Sequence, residues 1–159
     1  MIDIRLEKLF SECDKHLARI NRAAAKMAHF MPLNPATFRE LTEDDIEHID
    51  QFLFRFAKLQ DAIGERLIVL LLEFLQEPNP KGKPFIDILN RLEQLGIMDD
   101  KNAWLELRKY RNNITHQYED EPRLAAEALN AIYTGKSTLE QIYQRLKASY
   151  FQARGKASS

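Results

Sequence analysis

The chain reads as an all-α protein, an up-and-down bundle of four to five helices. Three observations predict this. The good helix formers Leu, Ala, Glu, Lys, Arg and Gln are abundant, whereas Gly (5) and Pro (6) are scarce. Apolar residues recur at three- and four-residue steps over long stretches. The connections between those stretches are short, as in a bundle whose neighbours run antiparallel. At 159 residues, 45% apolar and 30% charged, the chain fits one domain with a real core. Residues 1–151 are assigned to that domain and 152–159 to a polar, frayed tail.

The first helix is expected over 3–30, where Leu6, Leu9, Phe10, Cys13, Leu17, Ile20, Ala24 and Met27 form one stripe with Ile4 and Ala28. Pro32 and Pro35 stop it. His16 and His29 lie on this helix and read as rim or exposed side chains. Residues 31–44 read as a loop. Thr42 is placed to cap a second helix over about 45–76, with acids in the first turn where the helix dipole favours them. Its stripe runs from Ile49 through Phe52, Phe56, Leu59, Ile63, Leu67 and Leu71 to Leu75. Arg55, Gln60, Asp61 and Arg66 interrupt it, and Arg55 and Asp61 suggest an ion pair. The run Leu67 to Leu72 is apolar nearly all round, which predicts cover from two sides, the bundle and a second copy or partner.

Pro78, Pro80, Gly82 and Pro84 break the chain. A short helix over 85–95 follows, with Gly96 as its C-terminal cap. The next helix, about 100–118, is capped by Asp99 or Asp100 and rests on Trp104, Leu105 and Leu107. Pro122 opens a last helix, carried by Leu124, Ala125, Ala128, Leu129, Ile132 and Tyr133. Gly135 is a candidate break before the pattern resumes over 138–151.

Totals narrow the function. A net charge of -1 and pI near 6.4 exclude a generically basic nucleic-acid binder, so any such contact needs a local patch. The single cysteine, Cys13, excludes an intrachain disulfide framework and suits a reducing cytoplasm. The N-terminus lacks the basic and apolar regions of a signal peptide. The longest apolar run, Leu67 to Leu72, falls far short of the roughly 20 residues of a membrane span. A cytoplasmic protein with no membrane role is expected.

The most polar helical stretch, Arg108 to Tyr118, gathers cations, amides, a hydroxyl, an imidazole and two phenols around one aliphatic residue, Ile114. Residues four apart share a helix face, which puts Arg108, Asn112 and His116 in one column. Arg111 lies about 140° away from His116 on a regular helix. Three routes bring them together: arginine curls round the axis, the helix ends near His116, or the pair forms across a twofold axis. Arginine offers a permanent fork matched to phosphate, and histidine moves protons near neutrality. Metal-free RNA cleavage needs a base for the 2′-hydroxyl, an acid for the leaving oxygen and a cation for the phosphorane. One histidine cannot be base and acid at once, so a homodimer is the natural source of two. No Gly-rich phosphate loop or metal-ligand spacing is present, and Cys13 has no nucleophile context. No cofactor is expected. Arg-x4-His also recurs by chance in helices, so spacing alone leaves a structural role open.

Arg111-Asn112-Asn113-Ile114-Thr115-His116-Gln117-Tyr118 resembles the Arg-Asn-x3-His-x-Tyr signature of HEPN-domain proteins and, more narrowly, of HepT-type toxins of bacterial toxin–antitoxin pairs. Phe52 to Gly64, Lys83 to Leu92 and Trp104 to Arg108 are similar to segments of that group, and the resemblance spans about 45–135. It implies a helical bundle that dimerises with its two Arg/His motifs facing across a cleft. It implies a metal-independent endoribonuclease. The expected substrate is RNA, with tRNA a candidate, and no DNA partner is expected. Arg111 then stabilises the phosphate, His116 is the acid/base and Asn112 assists. The implied partner is a nucleotidyltransferase-fold antitoxin, which in some pairs transfers AMP to the motif tyrosine, here Tyr118. The alternative is a non-catalytic helical partner subunit of a small nucleotidyltransferase.

Overall fold

The computed structural model describes residues 1–117 and 121–158, and the side chains of these except 115–117 and 157–158. The described residues are all-helical. Seven α-helices follow in order: α1 (Ile2–Met27), α2 (Pro35–Arg39), α3 (Glu43–Ala62), α4 (Ile68–Phe74), α5 (Phe85–Gln94), α6 (Lys101–Gln117) and α7 (Pro122–Ser158). A π-helical turn, Ile63–Leu67, joins α3 directly to α4, so 43–74 form one rod with a wide turn in its middle. A 3-10 turn, Pro80–Gly82, lies in the proline-rich break.

Local signals set most of the ends. Thr42 and Asp45 exchange side-chain and backbone hydrogen bonds in a capping box at the start of α3. Asp100 accepts from the Asn102 N–H at the start of α6. At the end of α5, Gly96 takes φ +71, and the N–H groups of Gly96 and Ile97 bond back to the carbonyls of Glu93 and Leu92. Within the expected loop 31–44, Asn34 and Thr37 cap a short helix, α2.

Side-chain contacts set the directions. Glu12 and His16 of α1 meet Arg66 and Arg55 of the rod, so these two run antiparallel. Tyr150 and Tyr143 of α7 reach Asp3 and Asp14 of α1, and Tyr133 reaches the Ala24 carbonyl, which makes α7 antiparallel to α1. Arg111 of α6 meets Asp61 of α3, and Arg108 and Trp104 lie beside Gly64, so α6 runs against the rod. The result is an up-down-up-down bundle with α5 packed on its side. Its core is continuous, and Trp104, Tyr143, Tyr150, Phe52 and Phe56 are the largest fully buried side chains.

Four expectations are corrected. Leu67 to Leu72 is buried within the one chain except at Val69, which is half-buried, so the burial of this stretch does not need a second copy. Gly135 does not break the last helix. Its missing Cβ would lie 2.5 Å from Leu107 Cδ2, so the glycine lets α6 and α7 approach inside an unbroken α7. Ile4 and Leu105 face outward, because α1 and α6 bury narrower stripes than their apolar content suggests. Finally, α7 continues as helix through 152–158, where a frayed tail was expected; Ala153, Arg154 and Lys156 favour helix, and Arg154 pairs with Glu7 of α1.

Candidate functional site

Residues 111–117 of the motif occupy the last turns of α6. Trp104, Arg108 and Arg111 fall on the face of α6 turned toward the rod, four and then three residues apart. Trp104 is fully buried there. Its indole fits because position 64 is glycine: a Cβ on Gly64 would lie 3.1 Å from Cζ2 of Trp104 and 3.8 Å from Nη1 of Arg108. Gly64 sits in the π turn, an irregularity that often marks functional helices. The wide turn lies beside Trp104 and Arg108, and Asp61 comes one turn before Gly64 on α3.

Asp61 then meets Arg111. The guanidinium donates from Nη1 at 2.6 Å and from Nη2 at 3.1 Å to the two carboxylate oxygens, a fork-to-fork pair. The side chains are 26% and 34% exposed, so the pair sits at the rim of the bundle, open enough to meet a ligand. The sequence suggested Arg55 as the partner of Asp61. Arg55 points instead to α1, where Nη1 lies 3.1 Å from Nδ1 of His16. Six residues apart on α3, the two side chains leave the helix in directions about 120° apart and cannot both face one neighbour.

Asn112 is exposed, next to Arg111 in sequence and one turn beyond Arg108. Helix α6 persists through Gln117, so the motif does not end at His116, and the axial column Arg108, Asn112, His116 holds for the backbone. The His116 side chain and all of Tyr118 lie outside the described residues. The structure therefore brings Arg111 together with Asp61 and leaves Asn112 exposed, and the imidazole lies outside the described side chains.

A second polar cluster escaped the linear reading. On the α1 side of the rod, Arg66 donates to both carboxylate oxygens of Glu12, His16 takes the Arg55 contact, and Lys58 is close enough to act on both. Burial and the neighbouring Arg55 push the His16 imidazole below its usual pKa, while the Arg66 guanidinium holds the Glu12 carboxyl low. No sequence spacing foretells this: the partners are 39 and 54 residues apart. A cavity of about 310 Å³ adjoins it, with Arg5, Lys8, Glu12 and Arg66 over Leu9 and Leu70; neither Arg111 nor Asn112 lines it.

Deep in the rod, Gln60 is fully buried, and its amide N and O have no hydrogen-bond partner among the described residues; Trp104 Nε1 is in the same position. Such groups are costly and uncommon. Trp104 belongs to the α3–α6 contact that holds Arg111, and a further buried atom without a partner among the described residues, Arg55 Nε, lies on the α1 side.

No helix of the described residues is long and apolar enough to cross a membrane. No family model, curated protein or solved structure matches the chain.

Proposed function

We propose that this protein is a HEPN-type, metal-independent endoribonuclease of the HepT kind, working as a homodimer in which two copies of the Arg111/His116 motif face each other. The observation that carries this reading is the complete Arg-Asn-x3-His-x-Tyr string of the sequence, most of it on α6, together with the preset fork of Arg111. Asp61 fixes the plane of the guanidinium before any ligand arrives, and a preorganised cation is what stabilisation of a phosphorane requires. In this reading Arg111 receives the charge that develops on phosphorus, and Asn112, exposed beside it, orients the strand. His116 of one copy takes the 2′-hydroxyl proton, and His116 of the other protonates the leaving 5′-oxygen. Tyr118 is the candidate acceptor for AMP from a nucleotidyltransferase-fold antitoxin, and an added AMP mass on Tyr118 after incubation with that partner and ATP is its readout.

The decisive experiment incubates purified protein with RNA in EDTA beside Arg111→Ala and His116→Ala. Cleavage by the wild type, reduced about a hundredfold or more in both variants, is expected. Equal cleavage by all three proteins marks a contaminant and ends the assignment.

One observation favours a second reading. The Asp61 carboxylate occupies the fork that a phosphate would use. A helical partner subunit of a nucleotidyltransferase needs that pair only to hold α6 on α3. No cleavage by the wild type, together with a stable complex with a nucleotidyltransferase, would select it.

A further inference from the structure

Phe54 is the large side chain that α3 leaves in the open: its ring is 52% exposed while Phe52 and Phe56 on either side are buried. Two cations attend it. The Arg55 guanidinium carbon lies 5.4 Å from the ring centroid and Lys58 Nζ lies 5.5 Å away. Neither cation is within ion-pairing distance of a carboxylate among the described residues; Arg55 contacts the neutral-leaning His16 instead. An exposed phenyl ring flanked by cations is a surface on which a planar group carried by an anion can stack. Lys58 also acts on Glu12 of α1, but neither cation is ion-paired among the described residues, so an anionic cover is the favourable one.

Position says what the cover is. Phe54, Lys58 and Asp61 stand four and then three residues apart, one face of α3. That face ends on the Asp61–Arg111 fork, about 10.5 Å further along the axis at 1.5 Å per residue. At a rise of about 3.4 Å per nucleotide, a stacked single strand covers this distance in about three nucleotides. Five acids of α3, Glu43, Asp44, Asp45, Glu47 and Asp50, lie on the other side of Phe54, toward the N-terminus, and the sixth, Asp61, is paired with Arg111. A polyanion seated on Phe54 is therefore directed toward Arg111 and away from them.

We infer that Phe54 is a base-stacking platform and Lys58 a phosphate contact for single-stranded RNA whose backbone continues to Arg111. This rests on the ribonuclease reading and names where its substrate lies beyond the motif. Aromatic faces accept any base, and flanking cations track the backbone, so the platform contributes affinity with little sequence preference.

The test separates binding from cleavage. A fluorescent 2′-O-methyl RNA twelve-mer lacks the attacking hydroxyl, so anisotropy reads binding alone. Phe54→Ala is expected to weaken binding about tenfold. Lys58→Ala is expected to weaken it a fewfold and to lower the salt dependence by about 0.7 in log–log slope, one phosphate on a single strand. Phe54→Trp should restore affinity, and its indole emission should be quenched as RNA is added. Both positions are exposed, so unchanged thermal melts are expected throughout. Wild-type affinity in Phe54→Ala and Lys58→Ala overturns the inference, as does a wild type that does not bind the oligomer. Loss of dimer mass in Phe54→Ala with RNA affinity intact overturns it too, by assigning the ring to a protein contact. RNA cleavage without Phe54-dependent binding leaves the ribonuclease reading standing alone. Phe54-dependent binding without any cleavage supports the platform and removes the ribonuclease.

Discussion

Two arginine–carboxylate forks flank the rod, one on each side, and they differ in what surrounds them. Arg66 and Glu12 join the rod to α1 beside a large, well-packed helix pair, with His16 and Arg55 next to them. Arg111 and Asp61 join the rod to α6 beside a π turn, a glycine and the buried Trp104 indole. The first fork trims a contact that the core already secures. The second lies over the irregular part of the backbone, where a helical bulge is kept despite its cost, whereas a buried polar atom without a partner among the described residues is found on both sides, Arg55 Nε by α1 and Trp104 Nε1 by α6. Irregularity retained against stability is where function is sought. The contrast also cautions against reading chemistry from residue types. The α1 side holds an arginine, a histidine and a carboxylate in contact, yet burial and Arg55 hold that histidine neutral.

The largest expected effect that sharpens this contrast comes from the glycine. Gly64→Ala sets a methyl 3.1 Å from a fully buried indole that has nowhere to go. Overpacking of this kind costs about 1–3 kcal/mol, less up to about 1 kcal/mol from the better helix propensity of alanine. A net destabilisation of up to about 2 kcal/mol, read as a lowered melt, is expected. An unchanged or raised melt would show that the α6 contact is looser than described.

Next come the forks themselves. Asp61→Asn and Glu12→Gln each remove one charge from a partly exposed pair, worth about 1 kcal/mol or less in stability. Their effects on RNA cleavage should part: about tenfold slower for Asp61→Asn, because the guanidinium loses its fixed plane, and unchanged for Glu12→Gln. Equal rates in the two variants would erase the distinction between the forks.

The smallest effect is in pH. His16 is held neutral in the folded chain by burial, then by Arg55, Lys58 and Arg66, and Glu12 only partly offsets them. The unfolded imidazole titrates near 6.5, so between that pH and the lower folded value the unfolded chain binds more protons. Stability should therefore fall as pH drops from 7.5 to 5.5. Glu12, whose carboxyl is held low by Arg66, contributes only in the more acid range below about 4.5. Melts of His16→Gln should lose less over the same interval; parallel curves would refute the role of His16.

Much of the architecture was legible beforehand. The apolar steps on α1 and the rod, the Thr42 cap, the Gly96 stop, the Asp100 cap and the Pro122 start each act within a few residues, and each appears where its chemistry placed it. The errors have a common cause. Gly135 was read by backbone propensity, but Leu107, a residue on another helix, decides its role. Leu67 to Leu72 was read as needing a second copy, but one chain buries it except at the half-buried Val69. The site was legible only in part. The motif residues of α6 stood out by composition, whereas the Asp61 partner, 50 residues away, did not.

By itself the sequence determined the helices, their caps and the face on which Arg108 and Asn112 lie, because helical periodicity and capping are local interactions with fixed spacing. Only the tertiary structure decided that Arg111 turns to Asp61, that Arg55 turns to His16, and that Phe54 stays open in line with the fork. Those outcomes depend on which helices pack together and in which rotation. Packing of whole apolar stripes sets that rotation, and the polar side chains then take the partners it leaves within reach.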